Sequence, residues 1–235
     1  MADNKIVTKR KLTGAVYQSL DGVMQGVGAP EEDRSGGFRF GGWSVPFSDE
    51  SMNEATAKIY DSEYDLLLGK RTYDIFSAYW PYNQQSPIGV KFRRINKYVL
   101  THSDEPLTWD GSHRLSGDTA EAVAKLKNSD GRDLLIQGSS TIYLPLRTAG
   151  LIDRLVLMTF PVLLGKGKRV FDGSQKPGTL TLVDHFVPDK GVVFTTYEPA
   201  GEVRTGSFET KPPSEAELNR REKWAQEDAA RAPST

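Results

Sequence analysis

Two four-residue stretches carry the residue types that hold a phosphate: Gly69-Lys70-Arg71-Thr72 and Gly138-Ser139-Ser140-Thr141. Each follows a short apolar run and opens a helical pattern, so glycine, hydroxyls and free backbone N–H groups meet at the positive end of a helix dipole. Lys70 and Arg71 can be read as a solvated basic pair. A helix start disfavours cations, however, which favours an anionic ligand beside them. Thr101-His102-Ser103 ends a further short strand, where open α/β sheets take ligands; in isolation these are turn residues. The carboxylates that could move a proton are Asp21 and Asp49. The pair Asp21-Gly22 has the chemistry of a turn, and Asp49 with Glu50 would offset a helix dipole, so each has a structural explanation as well. Trp43 could line a substrate pocket or sit in the core. Gly165-Lys166-Gly167-Lys168 could shape the opposite wall or form a plain turn.

The elements that must position these residues follow from apolar spacing. Leu134 to Ile136 is too short for a helix and reads as a strand buried on both faces. Gly138 ends it, and Ser139, Ser140 or Thr141 can cap the helix whose Ile142, Leu146 and Ala149 share a face. Gly150 closes that helix, and Leu155 to Phe160 is the next strand, which predicts a parallel βαβ unit. Leu12 to Ser19 reads as the first strand, with Gly14 packed against another backbone. Residues 26–47 form a long glycine-rich loop carrying Phe38, Phe40, Trp43 and Phe47, a composition that suits a lid. Ser48 caps a helix running to Tyr60, overlapped by a capping box of Ser51 and Glu54. Asp65 to Leu68 and Lys97 to Leu100 are further strands, with a short basic helix or turn over Val90 to Asn96 before the second. Asp118 and Glu121 cap a helix ending at Lys127. Thr179 to Val187 and Val192 to Tyr197 pair as an antiparallel hairpin through Pro188-Asp189-Lys190-Gly191. These readings give one α/β domain over residues 1–199 and a polar extension over 200–235, in which Ser214 and Glu217 could cap a helix to Arg231.

Composition narrows the function. The 235 residues carry a formal net charge of -1, which gives no case for nucleic acid or an anionic membrane as partner. With no cysteine, thiolate catalysis and Cys-based zinc sites are excluded, and His102, His113 and His185 are too scattered to suggest a metal site. No run is apolar and long enough to span a bilayer, so the expectation is a soluble, cytoplasmic protein.

SLDG at Ser19–Gly22, LLLGKRTYD at Leu66–Asp74, YVLT at Tyr98–Thr101, and IQGSSTIY with AGLIDRLVLMTFPVLLGKGKRVF up to Phe171 resemble the dihydrofolate reductase-like superfamily. The branch is that of the riboflavin-biosynthesis reductase domain, RibD C-terminal, matched in order over residues 10–198. The resemblance implies a mixed, mainly parallel β-sheet with flanking helices and a C-terminal antiparallel hairpin. It also implies a homodimer that binds NADPH across the strand ends. Gly69, Lys70, Arg71 and Thr72 would hold phosphates at one helix start. Gly138, Ser139, Ser140 and Thr141, with Gln137, would hold the pyrophosphate at the other. Thr101, His102 and Ser103 would approach the adenosine 2′-phosphate, and Arg71 would discriminate NADPH from NADH. Trp43, Gly165 and Gly167 would border the substrate, with Asp21 or Asp49 as the catalytic carboxylate. The chain departs from the family in having Gly69-Lys70 for Gly-Arg and Gly138-Ser139 for Gly-Gly. The helix after the Trp-bearing loop offers Asp49, Glu50, Asn53 and Glu54 without a clear counterpart of the carboxylate that serves pterin reduction.

Three functions are compatible with these residues. The first is an NADPH-dependent reductase of a small heterocyclic or carbonyl substrate, of pyrimidine-reductase or dihydrofolate-reductase type. The second is a protein that binds the dinucleotide without turnover. The third, a serine hydrolase using Ser139 or Ser140, lacks the Gly-x-Ser-x-Gly elbow and any evident link from His185 to those serines.

Overall fold

The computed structural model describes residues 9–83, 85–171, 173, 176–208 and 212–231. The chain divides into two units, Met1–Glu202 and Val203–Thr235. The first unit contains β1 (Leu12–Ser19), α1 (Glu50–Asp61), β2 (Tyr64–Gly69), α2 (Lys70–Tyr79), α3 (Pro87–Arg94), β3 (Lys97–Leu100) and β4 (Ser112–Leu115). It continues through α4 (Thr119–Lys127), β5 (Asp133–Gln137), α5 (Ser140–Thr148), β6 (Arg154–Phe160), β7 (Leu180–Phe186) and β8 (Val193–Pro199). The second unit holds α6 (Glu215–Arg231), where the Ser214 hydroxyl accepts from the Glu217 N–H.

One sheet runs β4-β3-β2-β5-β1-β6-β8-β7. Strands β1 to β6 are mutually parallel, and β8 and β7 complete the sheet antiparallel. The mixed, mainly parallel sheet and its closing hairpin are therefore as expected. The βαβ unit is parallel too, but β5 and β6 lie on either side of β1 rather than against each other.

Period-two alternation explains why both faces of the sheet are buried. Leu66, Leu68, Ala15, Leu135, Met158 and Phe160 point into one core, completed by Met52, Ala55 and Tyr60 of α1, Tyr73 of α2 and Phe92 of α3. Leu67, Leu12, Val16, Leu134, Ile136 and Leu157 point into the other, completed by Val123 and Leu126 of α4 and Ile142, Tyr143 and Leu146 of α5. All parallel strands consequently end at one edge, and the helices leave from it.

Several local expectations need correction. Gly14 packs against a side chain, not a backbone: a Cβ there would lie 2.7 Å from the Tyr143 ring. Asp49, not Ser48, is the N-cap of α1, because its carboxylate accepts from the Met52 N–H at 2.7 Å. The loop over residues 26–47 is no free lid. Trp43 is buried, donates from Nε1 to the Gln25 carbonyl at 2.8 Å and meets Phe160 edge-on, and Phe38 is buried as well. An aromatic ring that satisfies its N–H inside the core is held there by the area it removes from water. The strand β4 was not foreseen, since Ser-His-Arg-Leu carries little apolar signal and pairs only with β3.

The opposite ends of the strands hold charges that no local pattern reveals. Arg10 and Asp65 are both buried, with Nη2 to Oδ2 at 2.7 Å. Lys127 is buried and donates to the Leu151 carbonyl and to Asp153. Lys97 donates to the Asp110 carbonyl at 2.9 Å beneath the Trp109 ring, and its burial lowers the ammonium to about 8.

Candidate functional site

The site is built from the corners where strands hand over to helices. Gly69 is the N-cap of α2, and the turn from β5 to α5 runs through Gly138 at φ 76° and Ser139 at φ 60°. Ser139 is the one non-glycine with positive φ among the described residues, a conformation that costs energy and recurs at ligand clamps. Its hydroxyl does not cap α5. It accepts from the Gly69 N–H at 2.6 Å and donates to the Thr72 Oγ1 at 2.8 Å, stapling one corner to the other. Gly138 must be glycine, because a Cβ would sit 3.0 Å from Thr72 in addition to the positive φ. The two corners thus share one edge of the sheet as neighbours.

Beside them lies a cleft of about 520 Å³ lined by Ser140, Thr141, Gly167, Lys168, Arg169 and Phe171. The Ser140 and Thr141 hydroxyls make no hydrogen bond among the described residues, and the first turn of α5 has N–H groups without helical partners. Two cations face them. Donors, a dipole and positive charge around one cavity suit a phosphate or pyrophosphate. Lys168 belongs to the stretch expected to shape a wall, whereas Arg169 as a lining group was not anticipated from the sequence, although the basic run Lys166 to Arg169 carried the signal.

Lys70 and Arg71 part company at the start of α2. Lys70 binds Asp74 at 2.8 Å and Glu105 at 2.9 Å, and so stands next to the segment after β3. Arg71 points instead to Asp33, at 3.5 Å. In that segment the Thr101 hydroxyl accepts from the Ser103 N–H, the Ser103 hydroxyl accepts from the Glu105 N–H, and His102 is exposed. Gln137, at the end of β5, accepts from the Tyr60 hydroxyl at 2.7 Å.

Asp21 is a joint between two loops. Partial desolvation raises its carboxyl, but bonds from the Ser19 hydroxyl and the Leu164 and Gly165 N–H groups outweigh it and hold the group at about 2. A carboxyl so placed is ionised at neutral pH, so it has no proton to give. Arg169 completes the joint, donating from Nε to the Asp21 carbonyl and through the rest of its fork to the Gly165 and Gly167 carbonyls. Gly167 lies too close to Val23 for any side chain, with 2.4 Å to a built Cβ. Asp49 accepts from the Met52 N–H and the Ser51 hydroxyl, which lower its carboxyl; it serves as a cap. The inward side of α1 shows Met52, Ala55, Thr56 and Tyr60, with Glu50 and Glu54 exposed, so no carboxylate of this helix faces the core.

A second cleft of about 540 Å³ adjoins the first through Gly167 and Lys168, and Phe38, Phe40, Leu164 and Lys166 line it. Trp43 and Gly165 line neither cleft, so the aromatic wall belongs to Phe38 and Phe40.

Known proteins share this fold. The protein YyaP of Bacillus subtilis (strain 168), itself uncharacterised, is 25% identical over 136 residues, or 56% of this chain and 72% of that one. RibD of Acinetobacter baumannii superposes with a TM-score of 0.57 at 14% identity, covering 82% of this chain and 58% of that one. Dihydrofolate reductase of Enterococcus faecalis, solved with NADP(H), superposes with a TM-score of 0.53 at 15% identity, covering 82% and 98%. A pyrimidine reductase-like protein of Corynebacterium diphtheriae gives 0.51 at 13% identity, covering 85% and 94%. At these identities the superpositions establish a shared fold. The RibD C-terminal domain family itself matches residues 10–194, most of the 235-residue chain, and the protein belongs to that family.

Proposed function

We propose that this chain is an NADPH-dependent oxidoreductase that transfers a hydride to a small heterocyclic or carbonyl substrate. The carrying observation is the pair of helix starts stapled by Ser139, opening beside a cleft with Lys168 and Arg169. The dinucleotide supplies the hydride when bound. In this reading, Ser140, Thr141 and the α5 amides hold its pyrophosphate, with Arg169 opposite, while Gly69 and Gly138 let the two corners pack against each other. Phe38, Phe40 and Leu164 form an apolar wall for the substrate in the adjoining cleft. Asp21 positions the loop at residues 164–169 and is not the proton source.

The 2′-phosphate falls to Lys70 rather than Arg71, because Lys70 neighbours the Thr101–Glu105 segment through Glu105. Lys70→Ala is expected to weaken NADPH about 5-fold to 20-fold while leaving NADH nearly unchanged, in line with the loss of one charge-assisted contact. Fluorescence titration of both nucleotides measures this, and equal weakening of the two would remove Lys70 from that role. Following NADPH oxidation across pteridines, aminopyrimidine ribosides and activated ketones tests turnover.

A second reading, dinucleotide binding without turnover, draws support from Asp21, both of whose carboxylate oxygens accept from backbone N–H groups, and from Asp49, whose Oδ1 caps α1. NADPH binding with no oxidation across the panel would select it. The hydrolase reading has no such support, since the Ser139 hydroxyl donates to Thr72 and His185 lies exposed on β7.

We also assign a second copy of the chain to the edge strand β7. Its unpaired backbone edge carries the exposed Leu180, Leu182, Val183 and Phe186, which left bare would invite uncontrolled pairing. A two-fold partner covers such a strand with its own copy. Size-exclusion chromatography with light scattering should give a dimer for the native chain and a monomer for Val183→Lys/Phe186→Glu.

A further inference from the structure

Asp33 lies between two cations from different elements, Arg71 of α2 and Lys168 of the loop after β6. Its Oδ2 takes the Lys168 Nζ at 2.5 Å, and its Oδ1 is 3.5 Å from Arg71 Nη1. The carboxylate is 9% exposed, and the Ser35 hydroxyl and N–H bond it at 2.7 and 3.1 Å. Lys168 lines both clefts, and Arg71 stands in the first turn of α2, where the dipole disfavours a cation unless an anion is near. Asp33 is that anion.

The segment that delivers it is held less firmly than the chain immediately downstream. Phe38 and Trp43 are anchored in the core, whereas Glu31, Arg34, Gly36 and Gly37 are exposed. Gly36 and Gly37 have positive φ, and a Cβ on either would meet nothing within 4 Å. Upstream, Glu32 accepts from the Val27 and Gly28 N–H groups, and Gln25 donates to the Asp33 and Ser35 carbonyls. Residues 28–37 thus form a strap that Gln25 and Glu32 hold on the side of the preceding chain, while the Asp33 carboxylate ties it to α2 and to the Lys168 side chain.

We propose that Lys168 and Arg71 make one phosphate subsite, that Asp33 fills it as an intramolecular anion, and that a phosphorylated ligand opens the strap by taking both cations. The proposal rests on the dinucleotide reading for the natural ligand but not for the subsite itself. A ligand that must displace Asp33 binds with an affinity reduced by the fraction of molecules whose strap is open. Removing the carboxylate therefore strengthens binding, the reverse of what loss of a scaffold residue does.

Asp33→Asn keeps the shape and removes the charge. It should bind pyrophosphate and NADPH about 3-fold to 20-fold more tightly than the native chain in titration calorimetry. Without ligand it should be cut by trypsin after Arg34 several-fold faster, and saturating pyrophosphate should bring the native chain towards the same rate. Lys168→Met separates the two roles, because it should also speed cleavage after Arg34 yet weaken pyrophosphate. Weaker or unchanged pyrophosphate binding by Asp33→Asn, with cleavage unchanged, would overturn the latch, as would failure of pyrophosphate to bind either form. If pyrophosphate binds and NADPH does not, the subsite stands and the dinucleotide reading falls.

Discussion

Asp65→Ala is expected to destabilise the protein by about 3–5 kcal/mol, the loss expected when one partner of a buried ion pair is removed. Arg10 has no exposure to water, so its guanidinium cannot recover by hydration what it loses in the Asp65 carboxylate at 2.7 Å. Asp65 also accepts from the Asn96 N–H at 3.1 Å, so the same change frees a donor at the entrance to β3. Arg10 has further partners in the Arg132 carbonyl and the Tyr98 ring, which hold it in place without neutralising it. Replacing both members, as Arg10→Met/Asp65→Leu, should restore part of the loss, because no charge is left buried without its partner, while the Asn96 N–H and the Arg132 carbonyl still lose theirs. Urea unfolding of the three proteins measures this, and a loss under about 1 kcal/mol for Asp65→Ala would show that water reaches the pair.

Arg169→Ala should weaken NADPH roughly 10-fold to 100-fold, the range for losing a charged group with several hydrogen bonds. The size comes from a double role. The guanidinium lines the cleft beside Ser140 and Thr141 and also binds the carbonyls of Asp21, Gly165 and Gly167. Without it, the turn at residues 164–169 keeps the Asp21 carboxylate on the Leu164 and Gly165 N–H groups but loses the tie from Arg169 to the Asp21 carbonyl. Arg169→Lys keeps the charge and loses the fork, so it should recover only part of the affinity. An Arg169→Ala protein that binds NADPH as the native chain does would place the pyrophosphate elsewhere. Circular dichroism of the unliganded variants separates a displaced loop from a lost fold.

Much of this architecture was legible because strands buried on both faces are short apolar runs with abrupt ends. Leu12 to Ser19 and Lys97 to Leu100 coincide with β1 and β3 residue for residue, and Asp118 caps α4 through the Glu121 N–H. The two strand-to-helix corners were legible for a related reason, since glycine after a strand followed by hydroxyls marks the start of a helix. What stayed hidden depends on partners far away in the chain. Arg10 and Asp65 are each an ordinary charged residue until the fold brings them together, and Asp33 gains its meaning only from Arg71 and Lys168. The Ser139 hydroxyl reads as a helix cap and becomes a staple only because β2 and β5 are neighbours.

The central place of β1 bears on how the chain reaches this state. Leu12 pairs with Leu134 on one side and Thr13 with Arg154 on the other, so both flanks of β1 are filled only once β6 has been made, and neither is filled before β5. Until then Leu12, Ala15 and Val16 have no sheet to enter, and closing loops of that length is slow. Synthesis halted before β6 leaves β1 with a bare flank, a natural handle for chaperones and a point where nascent chains can aggregate.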